Sequence, residues 1–163
     1  LIEKASCFLG DRTMAFSLIL CVMLVASGAG SWTAGTFENR LHRGQGWAVG
    51  GALIWLLFAA LGMNALMDAF LSWGVILKCI LLIVLTAPIG FALGLPFPLG
   101  LSALREDKTG WLPWAWALNG SFSVLATPMA NLFAMQFGYR LLWGLAAGLY
   151  AVSYFAFPRS KTR

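Results

Sequence analysis

The feature that most constrains this chain is the spacing of its charges. Uncharged runs cover 13–37, 44–67, 79–104, 109–139 and 141–158, lengths of 25, 24, 26, 31 and 18 residues. A helix that crosses the ~30 Å hydrocarbon core of a bilayer needs about 20 predominantly apolar residues. Without water in that core, backbone amides must satisfy one another, which leaves helices or closed barrels. The runs are continuous rather than alternating, which argues against a barrel. The reading is one all-α, polytopic transmembrane domain over 1–163, a bundle of about five helices. Its spans fall at about 14–34, 47–66, 73–95, 112–135 and 139–157.

Composition points the same way. The chain is 60% hydrophobic and 10% charged, with a mean hydropathy of +0.81, whereas a soluble domain carries about a quarter charged residues. A large soluble helical core would need polar surface that this sequence lacks. Glu3 and Asp11 lie too early for a signal peptide. A first residue of Leu rather than Met reads as a fragment or a processed product. Cys7, Cys21 and Cys79 form no CxxC pair and read as small apolar packing residues, with no disulfide framework or zinc site.

The net charge of +5 is better explained by topology than by nucleic acid, which is not an expected partner. One side of the span map holds Lys4, Arg12 and Arg140. The other holds Arg40, Arg43, Arg105, Lys108, Arg159, Lys161 and Arg163. The positive-inside rule then places the carboxyl terminus in the cytoplasm. Lys78 stands apart, one or two turns inside the third span, where it either snorkels to the interface or pairs with Asp68. Trp47, Trp73, Trp111 and Trp114 fall at span ends, where headgroups favour an amphipathic ring; Trp32 and Trp143 fit the same belt less closely.

Helices gain no hydrophobic free energy by meeting in lipid, so they associate through close packing and interhelical hydrogen bonds. Small-residue motifs recur: "SGAGS" (Ser27 to Ser31), "GWAVG" (Gly46 to Gly50), "GFALG" (Gly90 to Gly94) and "GLAAG" (Gly144 to Gly148). In the fourth span, Asn119, Ser123, Thr127 and Asn131 recur every four residues and form one helical stripe, with Gly120 beside it. Turned toward lipid, each unsatisfied amide would cost several kcal/mol. The stripe is therefore expected to bond neighbouring helices or to line a hydrated substrate or ion path. Pro128 would free the carbonyl of Val124 for Thr127 or a water.

The segment "APIGFALGLPFPLGLSALRE" (87–106) places Pro88, Pro96 and Pro98 among Gly90, Gly94 and Gly100. A kink is expected near Pro88, with the third helix broken near Leu95–Pro98 and a short helix restarting near Leu99. Such breaks mark transporter binding sites, and they also occur as plain bends at the interface.

Catalytic chemistry is sparse. His42, the one histidine, lies in the loop "FENRLHRGQG", so no span offers a histidine to haem or chlorophyll. No acidic cluster suits a metal, and no HExxH, Walker or CxxC motif occurs. No cofactor, metal or catalytic residue is expected, and the chain is not expected to be an enzyme.

"LPFPLGL" (95–101) followed by "PWAWALNGSFSVL" (113–125) resembles the membrane domain of bacterial spermidine synthase-like proteins, the fused major-facilitator-like/spermidine synthase chains. Residues 1–32 are similar to the same domain around its "SGxGS" turn, so the likeness covers nearly the whole chain. It implies Pro96, Pro98, Trp114, Trp116, Asn119, Gly120 and Ser123 as family positions. It also implies a bacterial inner-membrane location and only the membrane half of that architecture. The aminopropyltransferase part would need a Gly-rich strand-to-helix loop and paired aspartates, neither of which this sequence carries. The functional expectation is a non-catalytic membrane module or accessory subunit, with lipid and other membrane subunits as partners. The alternative is a transporter or channel element with a polar path along the fourth span.

Overall fold

The computed structural model describes residues 2–36, 41–105 and 110–156. The described elements are all helical: α1 (Ile2–Leu9), α2 (Arg12–Thr33), α3 (Leu41–Leu61), α4 (Met63–Ala69), α5 (Val75–Gly94), α6 (Pro96–Arg105) and α7 (Leu112–Ala156). The side chains of six of the seven basic residues assigned to the cytoplasmic side lie outside the described residues, as does that of His42; Arg43 is described.

Two of these helices are long and apolar enough to cross a membrane, Arg12–Thr36 and Val75–Ser102, of 25 and 28 residues. The pair Arg43–Ala59 and Met63–Ala69, bent by 58°, makes a third if it is one broken span. This is fewer than the five expected from charge spacing alone. Leu141–Ala156 is apolar but short. The first half of α7, its apolarity diluted by the polar stripe, is not among these spans. An uncharged run is thus a weaker condition than a greasy one.

Local chemistry sets the boundaries. Asp11 caps α2, its carboxylate accepting from the Met14 amide at 2.9 Å. Gly10, at φ 75°, ends α1 in the left-handed region and turns the chain directly into that cap. Hydroxyls within α2 bond their own helix: Ser27 donates to the Leu24 carbonyl and Thr33 to the Gly30 carbonyl. In α7, Gly138 (φ 79°, ψ 163°) breaks the helix in the gap read from the sequence between the fourth span (to about 135) and the fifth (from about 139). Only glycine takes that conformation without strain.

The helix breaks within the expected stretch, but as a bend and not as an unwound segment. α5 ends at Gly94, Leu95 keeps helical angles (φ −77°, ψ −43°), and α6 restarts at Pro96 rather than near Leu99 and runs to Arg105. The stretch 75–102 still reads as one apolar run. The reason is positional: Pro96 opens α6 and Pro98 follows two residues later, in a first turn whose amides have no intrahelical acceptor anyway. Pro88 sits inside α5. Its missing amide leaves the Val84 carbonyl without a helical donor. At the adjacent carbonyl, Leu85, the Trp55 indole donates from α3 at 2.8 Å.

The α2–α5 pair is the most extensive in the molecule. Two buried clusters sit at opposite ends of it. Ala5, Phe8, Ala15, Ile19, Ala59, Met63, Met67 and Leu82 join the starts of α2 and α5 to α1, α4 and the end of α3. Ala34, Ala48, Leu95 and Leu99 join the far end of α2 to the start of α3 and the α5–α6 junction. Sequence-distant residues meet this way only if successive long helices run antiparallel. The outer faces stay apolar: Phe16, Leu20, Leu24 and Val25 on α2, and Ile76, Ile80, Ile83 and Val84 on α5, are exposed. Water does not tolerate a patch of that size, whereas lipid tails do.

Candidate functional site

The small residues divide into those that meet a neighbour and those that do not. On α5, a methyl group added at Gly90 would sit 2.9 Å from the Ala26 side chain, and one at Gly94 would strike the Ser27 backbone. On α2, a methyl at Gly30 would strike the Phe91 carbonyl. These three glycines are what let two backbones touch. Gly51, rather than Gly50, meets Ala92 of α5, at 3.5 Å from an added methyl. Gly28, Gly50, Gly120, Gly144 and Gly148 have open space where a side chain would be. In "GLAAG" the inner residues, Ala146 and Ala147, are half-buried, while Gly144 and Gly148 face outward. The same motif thus presents opposite faces in α5 and α7.

The polar stripe lies on the outside of the chain. Asn119, Gly120, Ser123, Thr127 and Asn131 are all exposed. The Ser123 hydroxyl donates to the Asn119 carbonyl of its own helix at 2.7 Å, so the serine is satisfied locally. Pro128 is likewise exposed within α7. The first half of α7 touches the rest through few groups, among them Trp116, whose ring meets Phe97 of α6 edge-on at 4.9 Å. Asn131 lines a cleft of about 850 Å³ opposite Phe16, Leu20 and Met23 of α2, with Glu3 and Arg12 also on its walls.

Lys78 finds its partner on α1 rather than in Asp68. Its ammonium donates to the Phe8 carbonyl at 3.1 Å and lies 5.1 Å from the centre of the Phe8 ring. A cation at the last turn of a helix is favourably placed against the free carbonyls there. On the same end of the bundle, Lys4 donates to the Asn64 side chain at 2.6 Å and sits 5.2 Å from the centre of the Trp143 ring. Trp143 is therefore half-buried against the core rather than part of an exposed belt. Trp32, Trp47, Trp111 and Trp114 are exposed. Glu3, Lys4, Asn64 and Asp68 border a further cleft of about 560 Å³.

Two residues escaped the sequence reading. Gln45, placed there in a solvated loop, is helical and 1% exposed, and its amide donates to the Ser153 hydroxyl at 3.0 Å. This bond ties the start of α3 to the end of α7. Trp55 was hidden in an apolar run, where nothing distinguishes an indole that will bond a carbonyl from one that merely fills space. Gln45 Oε1 and Thr86 Oγ1 are buried without a partner among the described residues.

Among those residues, no three His, Cys, Asp or Glu side chains gather as metal ligands, and Cys7, Cys21 and Cys79 are free thiols. No protein-family model, curated protein or solved structure matches the chain.

Proposed function

We propose that this chain is a non-catalytic, multi-pass membrane module that packs against other membrane helices in a larger assembly. In this reading it has about five spans, lies in a bacterial inner membrane and keeps its carboxyl terminus in the cytoplasm. The observation that carries the reading is the exposed stripe Asn119–Ser123–Thr127–Asn131, which meets no Cβ-scale neighbour at Gly120. Amides left facing acyl chains would cost several kcal/mol, so a helix from outside this chain is the economical way to satisfy them. Each such bond contributes roughly 0.6–2 kcal/mol. The resemblance of 95–101 and 113–125 to the membrane half of spermidine synthase-like proteins supports the same role. Any aminopropyl transfer would then belong to a separate catalytic domain.

The test is migration after gentle solubilisation of native membranes. The chain is expected in a complex larger than itself, and Asn119→Leu is expected to release it. A monodisperse, self-sufficient monomer would overturn the proposal. The cleft beside Asn131 favours a second reading, a polar path along the fourth span. Under that reading Asn119→Leu abolishes flux while the assembly stays intact.

A further inference from the structure

We propose that the cleft between α3 and the end of α7 is a binding site for one anionic glycerophospholipid. Its phosphate sits on Arg43 and one acyl chain lies along Gly46, Gly50 and Ile54. This rests on the chain's residence in a membrane and not on its having a protein partner.

The cleft holds about 500 Å³ and is bordered by Arg43, Trp47 and Tyr154 as well as those three residues. Its floor exists because α3 carries glycines one turn apart. A methyl at Gly50 would meet nothing within 4 Å, and one at Gly46 would meet only the Tyr154 ring edge, at 3.6 Å. Its walls are tied together by the part-buried Gln45–Ser153 bond, so the groove persists without a ligand to hold it open. From Arg43 to Ile54 is eleven residues, or about 16 Å along a helix. One leaflet contributes about half of the ~30 Å hydrocarbon core, so the groove matches one acyl chain in length.

Charge selects the headgroup. Among the described residues, Arg43 is the one charged side chain on this cleft. The other two clefts described above each carry carboxylates, Glu3 in one and Glu3 with Asp68 in the other, which would repel a phosphate. A guanidinium offers a paired donor fork to phosphate oxygens, and Trp47 beside it is an interfacial residue by preference. Basic clefts between membrane helices are established sites for anionic headgroups.

The experiment uses the full chain, delipidated in detergent and exposed to mixed micelles of phosphatidylglycerol and phosphatidylcholine. Native mass spectrometry counts the lipid retained. Phosphatidylglycerol is expected to be retained preferentially. Arg43→Gln is expected to lower that retention about fivefold, the effect of one arginine at an anionic surface. Gly50→Leu fills open space, so it folds normally and lowers retention by blocking the acyl groove. Arg12→Gln, at the opposite end of the bundle, leaves retention unchanged. Equal retention of the two lipids overturns the proposal, as does wild-type retention by both cleft variants. Displacement of phosphatidylglycerol by inorganic phosphate also overturns it, because the site would then read the anion without the chain. Retention by the isolated chain is independent of whether it joins a larger assembly, so the two proposals fail separately.

Discussion

The α2–α5 seam and the first half of α7 are built from similar residues and end in opposite situations. Both mix glycine and hydroxyl side chains into an apolar helix. In the seam, Gly30, Gly90 and Gly94 face another backbone at contact distance, and Ser27 bonds its own helix. Along 112–137, Gly120 faces open space and Asn119 is exposed, while Asn131 borders a cleft without bonding across it to any described residue. The seam is a finished interface. The stripe has the chemistry of an interface without a partner from its own chain. A small-residue motif therefore marks a capacity for close approach, and its rotational phase decides whether that capacity is used.

Substitutions sharpen the contrast. Gly94→Ala has the largest expected effect on the chain itself, because the new methyl strikes the Ser27 backbone and cannot be relieved by a side-chain rotation. A loss of about 3 kcal/mol, the upper end for overpacking, should appear as a lowered unfolding midpoint in detergent. An unchanged midpoint would mean the seam is not the organising contact. Asn119→Leu should leave that midpoint within about 0.5 kcal/mol and weaken assembly by roughly tenfold, the worth of one or two interhelical bonds. Native gel migration reads the assembly, and a large midpoint shift would show that the stripe already serves this chain.

Trp55→Phe keeps the ring and removes the donor to Leu85. The expected loss is about 1 kcal/mol, with no change in assembly. Smallest is Gly144→Ala, whose methyl enters open space; the isolated chain should change by less than about 0.5 kcal/mol. A larger cost measured only in native membranes would place a partner on that face of α7 as well.

The break at 95–98 teaches a related lesson. Three prolines within eleven residues suggested an unwound segment, yet Pro96 and Pro98 sit where a helix begins and lose no intrahelical bond. A proline's consequence depends on its place in the hydrogen-bond ladder, which the sequence does not specify when one helix follows another across a single residue. Lys78 shows the same limit. Its depth and charge were legible, but its acceptor, the Phe8 carbonyl, is seventy residues away.

By itself the sequence determined what the backbone must do. Long apolar stretches without internal charges become helices, because amides in a dry medium can bond only to one another along the chain. It also located the turn around Gly138, between the fourth and fifth spans, where local sterics are sufficient. Only the tertiary structure decided which faces meet. Helical periodicity fixes the angles between residues on one helix but not the rotation of that helix against its neighbours. That rotation places Gly90 and Gly94 inside, Gly144 and Gly148 outside, and buries Gln45 against Ser153.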